Sequence, residues 1–398
     1  MHPADEIRGS KSKILSKKRI VLAVTGSIAA VEAIKLSREL IRHGAEVIPV
    51  MTPSATKIIH PDSLWFATGN KPIIELSGNT EHVSFCGQVN NPVDLLLISP
   101  CTANTISKIA HGIDDTAVTT FATTAIGANV PILIVPAMHI SMYKHKIIQE
   151  NIKKCKKINI KFIDPIIEKR KAKMADIKEI VANVICQTGK KKLKNKKILI
   201  IGGSSAESID DVRIISNRSS GKTAINLALN AFYKGADVEL WYGVSKEKPP
   251  DYIKTVGFGL IMDLFKLLKT YNLKKFDVII ICAALSDYIP RKQKGKIPSG
   301  KDKLIIEMSP APKIIERLRI KAPESKIIGF KVEENKDNLQ GKALKLLRTN
   351  SLDFVVANTI SGFNKDENEI WIINKKGKSL HKKGSKEILA DIILDTVI

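Results

Sequence analysis

The chain has 398 residues, more than one hydrophobic core usually organises, so two domains of ordinary size are the first expectation. Hydrophobic residues make up 44% and charged residues 26%, no apolar run is long enough to span a bilayer, and Met1 to Lys18 is polar and basic; this argues against a membrane or secreted protein and for the cytoplasm. The net charge of +24 points to anionic partners without choosing among nucleic acid, acidic lipid and phosphorylated small molecules.

Lys18 to Val24 reads as a short apolar strand, followed by the turn Thr25-Gly26-Ser27 and an amphipathic helix from Ile28 to Arg42 that closes at His43-Gly44. Apolar strands recur at Ala45 to Met51, Val93 to Ser99 and Pro131 to Val135. The same grammar restarts after the lysine-rich stretch Gly189 to Lys197, with a strand at Ile198 to Ile201, the turn Gly202-Gly203-Ser204 and a helix from about Gly221 to Lys234. Further strands are expected at Phe276 to Ile281, Lys326 to Phe330, Asp353 to Ala357 and Glu369 to Ile373, with helices around Pro312 to Arg319 and Lys336 to Arg348. Strands alternating with helices imply parallel sheets covered on both faces, hence an α/β protein of two Rossmann-like parallel-sheet domains. The expected division is a basic tail over 1–17, a first domain over 18–188, a lysine-rich linker over 189–196 and a second domain over 197–398. In such sheets the turns after the strands form the ligand-binding edge.

The motifs narrow the chemistry. Thr25 to Ala30 places backbone N–H groups and a hydroxyl at a helix N-terminus, which suits one phosphate, but the dinucleotide fingerprint is absent. Gly221-Lys222-Thr223 is no Walker A, because Ser216 stands where its first glycine is needed; Asn217 to Gly221 can still hold an anion at the start of a helix. Five scattered cysteines without a C-x-x-C pair, and eight histidines without a metal spacing, give no sign of disulfides or structural zinc. The lysine runs 153–157 and 190–197 read as solvated faces, and the aromatics, only 5%, are not interleaved with them as a nucleic-acid stacking platform requires.

Thr25 to Ala30, Glu81-His82-Val83, Ser99 to Thr105 and Val135 to His139 occur in the order seen in flavin-dependent cysteine decarboxylases. Gly202 to Ile209, Val212 to Lys222, Ala283 to Tyr288, Lys296-Ile297, Gly329-Phe330 and Val356-Ala357-Asn358 are similar to phosphopantothenate–cysteine ligase. From about residue 18 onward the chain therefore resembles the bifunctional phosphopantothenoylcysteine decarboxylase / phosphopantothenate–cysteine ligase family of coenzyme A biosynthesis, in its archaeal form.

The resemblance implies a flavodoxin-like FMN-binding decarboxylase domain followed by a ligase domain. It implies that Gly26, Ser27, Thr52, Ser54, Ser99 and Thr102 hold FMN, that His82 is the base taking a proton as the cysteine thiol is oxidised, and that Asn104, Ala137, Met138, His139 and Arg213 bind substrate. An imidazole suits proton removal near neutral pH, while the redox step needs the flavin. In the ligase half the resemblance makes Lys296 and Asn217 catalytic and gives nucleotide contacts to Ala283, Asp287, Lys296, Ser309, Pro310, Ala311, Pro312, Phe330 and Lys345. Carboxylate activation by a nucleoside triphosphate, CTP first with ATP or GTP open, calls for Mg2+ as well; the metal ligands stay unassigned. The family's habits imply a homo-oligomer, with the decarboxylase domains in a trimer and the ligase domains in a dimer, acting on small molecules and on neither nucleic acid nor membrane. The chain departs from the bacterial pattern at His139, where asparagine is usual, at Ser204 for threonine, at Ala311 in a segment that usually reads Asn-Pro, and over Ile166 to Met174, where the substrate clamp lacks its proton-donating cysteine. The rival readings are a flavoprotein decarboxylase of another substrate and a basic nucleic-acid-binding protein.

Overall fold

Runs of Ile, Val and Leu bounded by glycine or proline turns become the strands of the first of two units into which the computed structural model divides, Met1–Lys190 and Lys191–Ile398; the structure describes residues 2–300, 302–362 and 365–398. The first unit holds β1 (Arg19–Val24), β2 (Glu46–Met51), β3 (Leu95–Cys101), β4 (Ile132–Pro136), β5 (Met138–His139), β6 (Lys161–Phe162), β7 (Ile166–Glu168) and β8 (Lys171–Lys173). Five of these form a parallel sheet in the order β2-β1-β3-β4-β6, the flavodoxin-like arrangement. β3 is buried along its whole length, as a central strand with helices on both faces must be. A separate antiparallel sheet, β5-β8-β7, carries the stretch read from sequence as the substrate clamp.

The helix expected from Ile28 begins as a 3-10 turn, Ile28–Glu32, capped by the Ser27 hydroxyl, before the α-helix Ala33–Arg42. The segment before β1, read as a basic tail, folds back onto the unit. Pro3–Glu6 is a helical turn, Ala4 and Leu15 are buried, and the Leu15 N–H donates to the His43 carbonyl at 2.9 Å. One leucine among lysines anchors it, a weak signal in the sequence.

The second unit contains β9 (Lys197–Gly202), β10 (Ala206–Ser208), β11 (Ile214–Ser216), β12 (Asp237–Tyr242), β13 (Lys254–Gly257), β14 (Val278–Ile281), β15 (Tyr288–Pro290), β16 (Met308–Pro310), β17 (Lys326–Glu333), β18 (Phe354–Thr359), β19 (Glu367–Asn374) and β20 (Ser379–Ser385). Eight build one sheet, β13-β12-β9-β14-β17-β18-β19-β20, parallel as far as β18. The last two strands run antiparallel, so the sheet is not parallel throughout. β20, missed in the sequence, is polar and exposed along most of its length, with Lys382 and Lys383 on it, as an edge strand protected from self-association is. β10-β11 and β15-β16 are hairpins outside the main sheet. Leu193, within the stretch read as a linker, is buried in this unit and its N–H donates to the Lys234 carbonyl at 3.0 Å.

Helices Lys222–Tyr233 and Lys386–Val397 cover one face of the sheet through Leu227, Ala231 and Leu394, and helices Ile261–Thr270, Ile314–Lys321 and Leu339–Thr349 cover the other. Among the described residues no helix is long and apolar enough to cross a membrane.

Phe121 is fully buried in the first unit and stacks on Phe85 at 6.4 Å between ring centroids. Phe121→Ala should cost about 3–5 kcal/mol, the usual range for truncating a core phenylalanine. A urea titration followed by circular dichroism should show the midpoint fall accordingly; an unchanged midpoint would contradict this placement.

Candidate functional site

In an open parallel sheet, ligands bind beyond the carboxyl ends of the strands where the order reverses, which in the first unit is between β1 and β3. The Thr25 hydroxyl ties this point together: it donates to the Pro100 carbonyl at 2.8 Å and accepts from the Thr102 N–H at 3.0 Å. The Thr52 N–H donates to the Val24 carbonyl and the Ala137 N–H to the Cys101 carbonyl, both at 3.0 Å, so the ends of β1, β2, β3 and β4 are held in one cluster.

Two cavities open there. One, of about 380 Å³, is lined by Gly26, Thr52, Ser54, Thr102 and Asn104. Its closeness to backbone requires glycine at 26, where an added Cβ would lie 2.5 Å from the Ser54 Cβ. Thr52 and Thr102 each cap a following helix, so N–H groups at both helix starts face this end of the sheet. The other, of about 790 Å³, is lined by Ser27, Ala137, Met138 and His139 together with residues 166–177 of the β7-β8 hairpin and its exit. Both volumes lie in the range of small-molecule sites, roughly 300–1,000 Å³.

Ser99 lies in neither cavity: it is fully buried in β3, with its hydroxyl against the Met174 sulfur at 3.5 Å. His82, in the short helix Glu81–Cys86, also lines neither, and its Nδ1 is buried without a hydrogen-bond partner. Thr105, Lys108 and Thr116, outside the residues expected from sequence, also line the smaller cavity. Lys108 could have been found, since it falls one helical turn after Asn104 on the same face.

The second unit repeats the plan, with its reversal between β9 and β14. A narrow cavity of about 130 Å³ is lined by Gly203, Ser219, Gly221, Lys222, Ala283, Phe330, Asn358 and Lys386 among others. A second, of about 230 Å³, shares Ala283 and Phe330 and adds Asp287, Pro312 and Lys313. Gly221 sits at φ 78°, and an added Cβ would fall 1.7 Å from the Tyr242 hydroxyl. Asn217 bridges the turns after both strands, its Nδ2 donating to the carbonyls of Ala284 and Leu285 at 3.2 and 3.0 Å. Asp287 pairs with Lys313, and its carbonyl accepts from the N–H of the buried Ala311 at 2.8 Å. Ser309 and Pro310 are exposed in β16, and Lys345 is exposed on its helix; none of the three lines either cavity. Asn358 and Lys386 reach the cavity beside the anion-holding turn Asn217 to Gly221 from a strand and a helix far along the chain, a convergence that no local motif marks.

Lys296 is exposed, on a loop fastened by Asp210. The buried Asp210 carboxylate accepts from the N–H groups of Ile297 at 3.0 Å, Val212 at 2.8 Å and Arg213 at 2.6 Å, and from the Arg213 guanidinium at 2.7 Å; Arg213 also donates to the Ile297 carbonyl at 3.1 Å. The Ile297 N–H, followed by the other donors, holds the Asp210 carboxyl down at about 2.

Two families match the chain: Flavoprotein over residues 8–189, and DNA/pantothenate metabolism flavoprotein C-terminal domain over residues 193–398. The coenzyme A biosynthesis bifunctional protein CoaBC of Thermococcus kodakarensis is 43% identical over 402 residues, covering 100% of this chain and 99% of its own. That of Methanocaldococcus jannaschii is 41% identical over 405 residues, covering 100% and 97%. Among solved structures, the DNA/pantothenate metabolism flavoprotein from Streptococcus pneumoniae is 25% identical, with 51% of this chain and 98% of that one covered at a TM-score of 0.46.

Because the Asp210 carboxyl lies below the ordinary carboxylate value of about 3.9, its hold on the loop is complete above about pH 4 and is lost as pH falls towards 2. Amide exchange should show Ile297 and Arg213 protected at pH 5 and losing relative protection between about pH 4 and pH 2. Asp210→Asn should lose it already at neutral pH; equal protection in that variant would contradict the anchoring.

Proposed function

The chain belongs to the family of coenzyme A biosynthesis bifunctional proteins, which carry a phosphopantothenoylcysteine decarboxylase and a phosphopantothenate–cysteine ligase, and from that premise we propose where each reaction runs and what it consumes. The observation that carries the proposal is the pairing of a phosphate-suited cavity with a strand-order reversal in each unit.

In the first unit, FMN belongs in the cavity at Gly26, Thr52, Ser54 and Thr102, where helix-start N–H groups and hydroxyls suit a single phosphate and no dinucleotide fingerprint exists for a second. When bound, FMN supplies the two-electron oxidation of the substrate thiol and returns the electrons after carbon dioxide has left. The protein's own part is to hold and deprotonate. Asn104 on the cavity rim orients the substrate carboxylate, the β7-β8 hairpin shields the larger cavity from water, and His82 takes the thiol proton. The buried, unpartnered Nδ1 of His82 is a polar group still lacking its companion, which supports a site completed by a further subunit, in the proposed trimer of first units.

In the second unit a carboxylate oxygen of 4'-phosphopantothenate attacks the α-phosphorus of a nucleoside triphosphate, and the bond to the β-phosphate breaks to release pyrophosphate. The amine of cysteine then attacks the activated carbonyl, and the nucleotide monophosphate departs as the amide forms and the nitrogen loses its proton. Ala283, Phe330, Asp287 and Pro312 frame the nucleotide, Asn217 fixes the two turns between which it lies, and Lys296 offsets phosphoryl charge from its anchored loop. Mg2+ would accompany the phosphates and offset their charge, with its protein ligands unassigned; CTP is the nucleotide we favour. Exposed Val212, Ile214 and Tyr288 on the β10-β11 and β15-β16 hairpins support a dimer of second units through this face. A cytoplasmic location completes the reading.

Gly26→Ala should weaken FMN binding by at least about 100-fold, because the new methyl overlaps the Ser54 Cβ and must push apart the two turns that line the phosphate cavity; circular dichroism checks that the variant is folded. Quenching of added FMN fluorescence measures it, and native affinity in the variant would move the flavin elsewhere. Lys296→Gln should reduce pyrophosphate release by about 100-fold or more while leaving decarboxylation of supplied phosphopantothenoylcysteine unchanged, and His82→Asn should do the reverse. Loss of both activities in either variant would contradict the division of labour.

A further inference from the structure

A lysine that lines the narrow cavity of the second unit has no task in the ligase reading. Lys386 is only 9% exposed, opens the helix Lys386–Val397 directly after its cap Ser385, and lines the narrow cavity. Its backbone N–H donates to the Asp366 carbonyl at 2.8 Å, but its ammonium has no hydrogen bond or ion pair with any described residue. The Asp366 carboxylate serves Lys222 instead, at 2.5 Å.

Three features make this arrangement unfavourable for the protein alone. A largely buried lysine whose ammonium makes no hydrogen bond, and whose nearest acid, Asp366, is hydrogen-bonded to Lys222, is held at a cost. At the first position of a helix it also faces the positive end of the dipole. A second ammonium, that of Lys222, lines the same cavity from the first position of another helix, Lys222–Tyr233; burial first and then the field of Lys222 lower the Lys386 pKa, with Asp366 opposing them in part. A leucine or methionine would serve stability better. Two helix starts and two lysines around about 130 Å³ make a compartment for negative charge, too small for a whole nucleotide when ligand pockets usually run from about 300 Å³. Ala283 and Phe330 join it to the second cavity, which leaves the remainder of a nucleotide its own room.

We propose that Lys386, with Lys222, binds the phosphate end of the nucleotide and holds the pyrophosphate that leaves when the α–β bond breaks. This rests on the ligase reading above and adds a contact that fixes which cavity takes the phosphates and which the nucleoside.

The test is the affinity of the full chain for inorganic pyrophosphate, measured by titration calorimetry in native protein and in Lys386→Met, which keeps the stem and removes the charge. The variant should bind pyrophosphate at least about 10-fold more weakly, show an increased KM for the nucleoside triphosphate, and melt at the native temperature or above when ligand-free. Decarboxylation of supplied phosphopantothenoylcysteine should not change. Pyrophosphate affinity within about 2-fold of native in a folded variant overturns the proposal. If Lys386→Met does not fold, acetylation of Lys386 in the native chain, read by peptide mass spectrometry, decides: protection by pyrophosphate supports the proposal, and equal labelling with and without it overturns it. Native protein that ligates while the variant keeps full pyrophosphate affinity removes this inference alone; native protein that forms no phosphopantothenoylcysteine with any nucleotide removes the ligase reading on which it stands.

Discussion

A parallel sheet wound in both directions from one starting strand leaves a gap where the two windings part, and the chemistry of this chain depends on that gap. Neighbouring crossovers leave from opposite faces there, so nothing covers the carboxyl ends of the two strands. In the first unit the gap lies between β1 and β3 and is spanned by the Thr25 hydroxyl; in the second it lies between β9 and β14 and is spanned by the Asn217 amide. Each bridge fixes two turns with one side chain. The helices that follow then present their N-termini to the gap, and both units become receptors for anionic groups without any shared sequence motif.

What the two gaps are given differs. The first has hydroxyls, an amide and an antiparallel hairpin beside it, suited to holding an aromatic cofactor with one phosphate and covering a substrate. In the second unit three lysines are placed with unequal freedom. Lys222 lines the narrow cavity paired with Asp366, Lys386 lines it largely buried and without a hydrogen bond to its ammonium, and Lys296, which lines neither cavity, is exposed on a loop whose backbone is fixed by Asp210. In the proposed ligase site, an anchored backbone with a free ammonium would let Lys296 follow charge as it moves during nucleotidyl transfer. The net charge of +24 gains a local meaning here, although most of it remains on solvated faces.

The architecture was legible in the sequence because central parallel strands are buried on both sides and read as unbroken apolar runs; β3, Leu95–Cys101, is one. The phosphate turns were legible because glycine is required sterically, as at Gly26 and Gly221. Elements held by few apolar residues were not: Leu15 anchors a segment that otherwise reads as a basic tail, and polar β20 gives no alternating signal. The site was legible where its residues follow strands directly and obscure where they converge from a distance. Asn358 and Lys386 join Gly221 only through the sheet order, and the Asp210 carboxylate fastens the loop of Lys296 by accepting from the Ile297 backbone N–H, a partner that no side chain marks in the sequence. Ser99 and His82 show the opposite limit, since motif order alone does not tell a cavity-lining group from one buried behind it or kept apart from it.

One chain joins cysteine to 4'-phosphopantothenate and then removes the carboxylate. The most direct measurement is mass spectrometry of the products when FMN-loaded protein is given 4'-phosphopantothenate, cysteine, Mg2+ and CTP, ATP or GTP in turn. The expected product is 4'-phosphopantetheine, with one pyrophosphate and one carbon dioxide released per molecule formed. Absence of phosphopantothenoylcysteine and 4'-phosphopantetheine with every nucleotide, from protein that binds FMN and is folded, would contradict it.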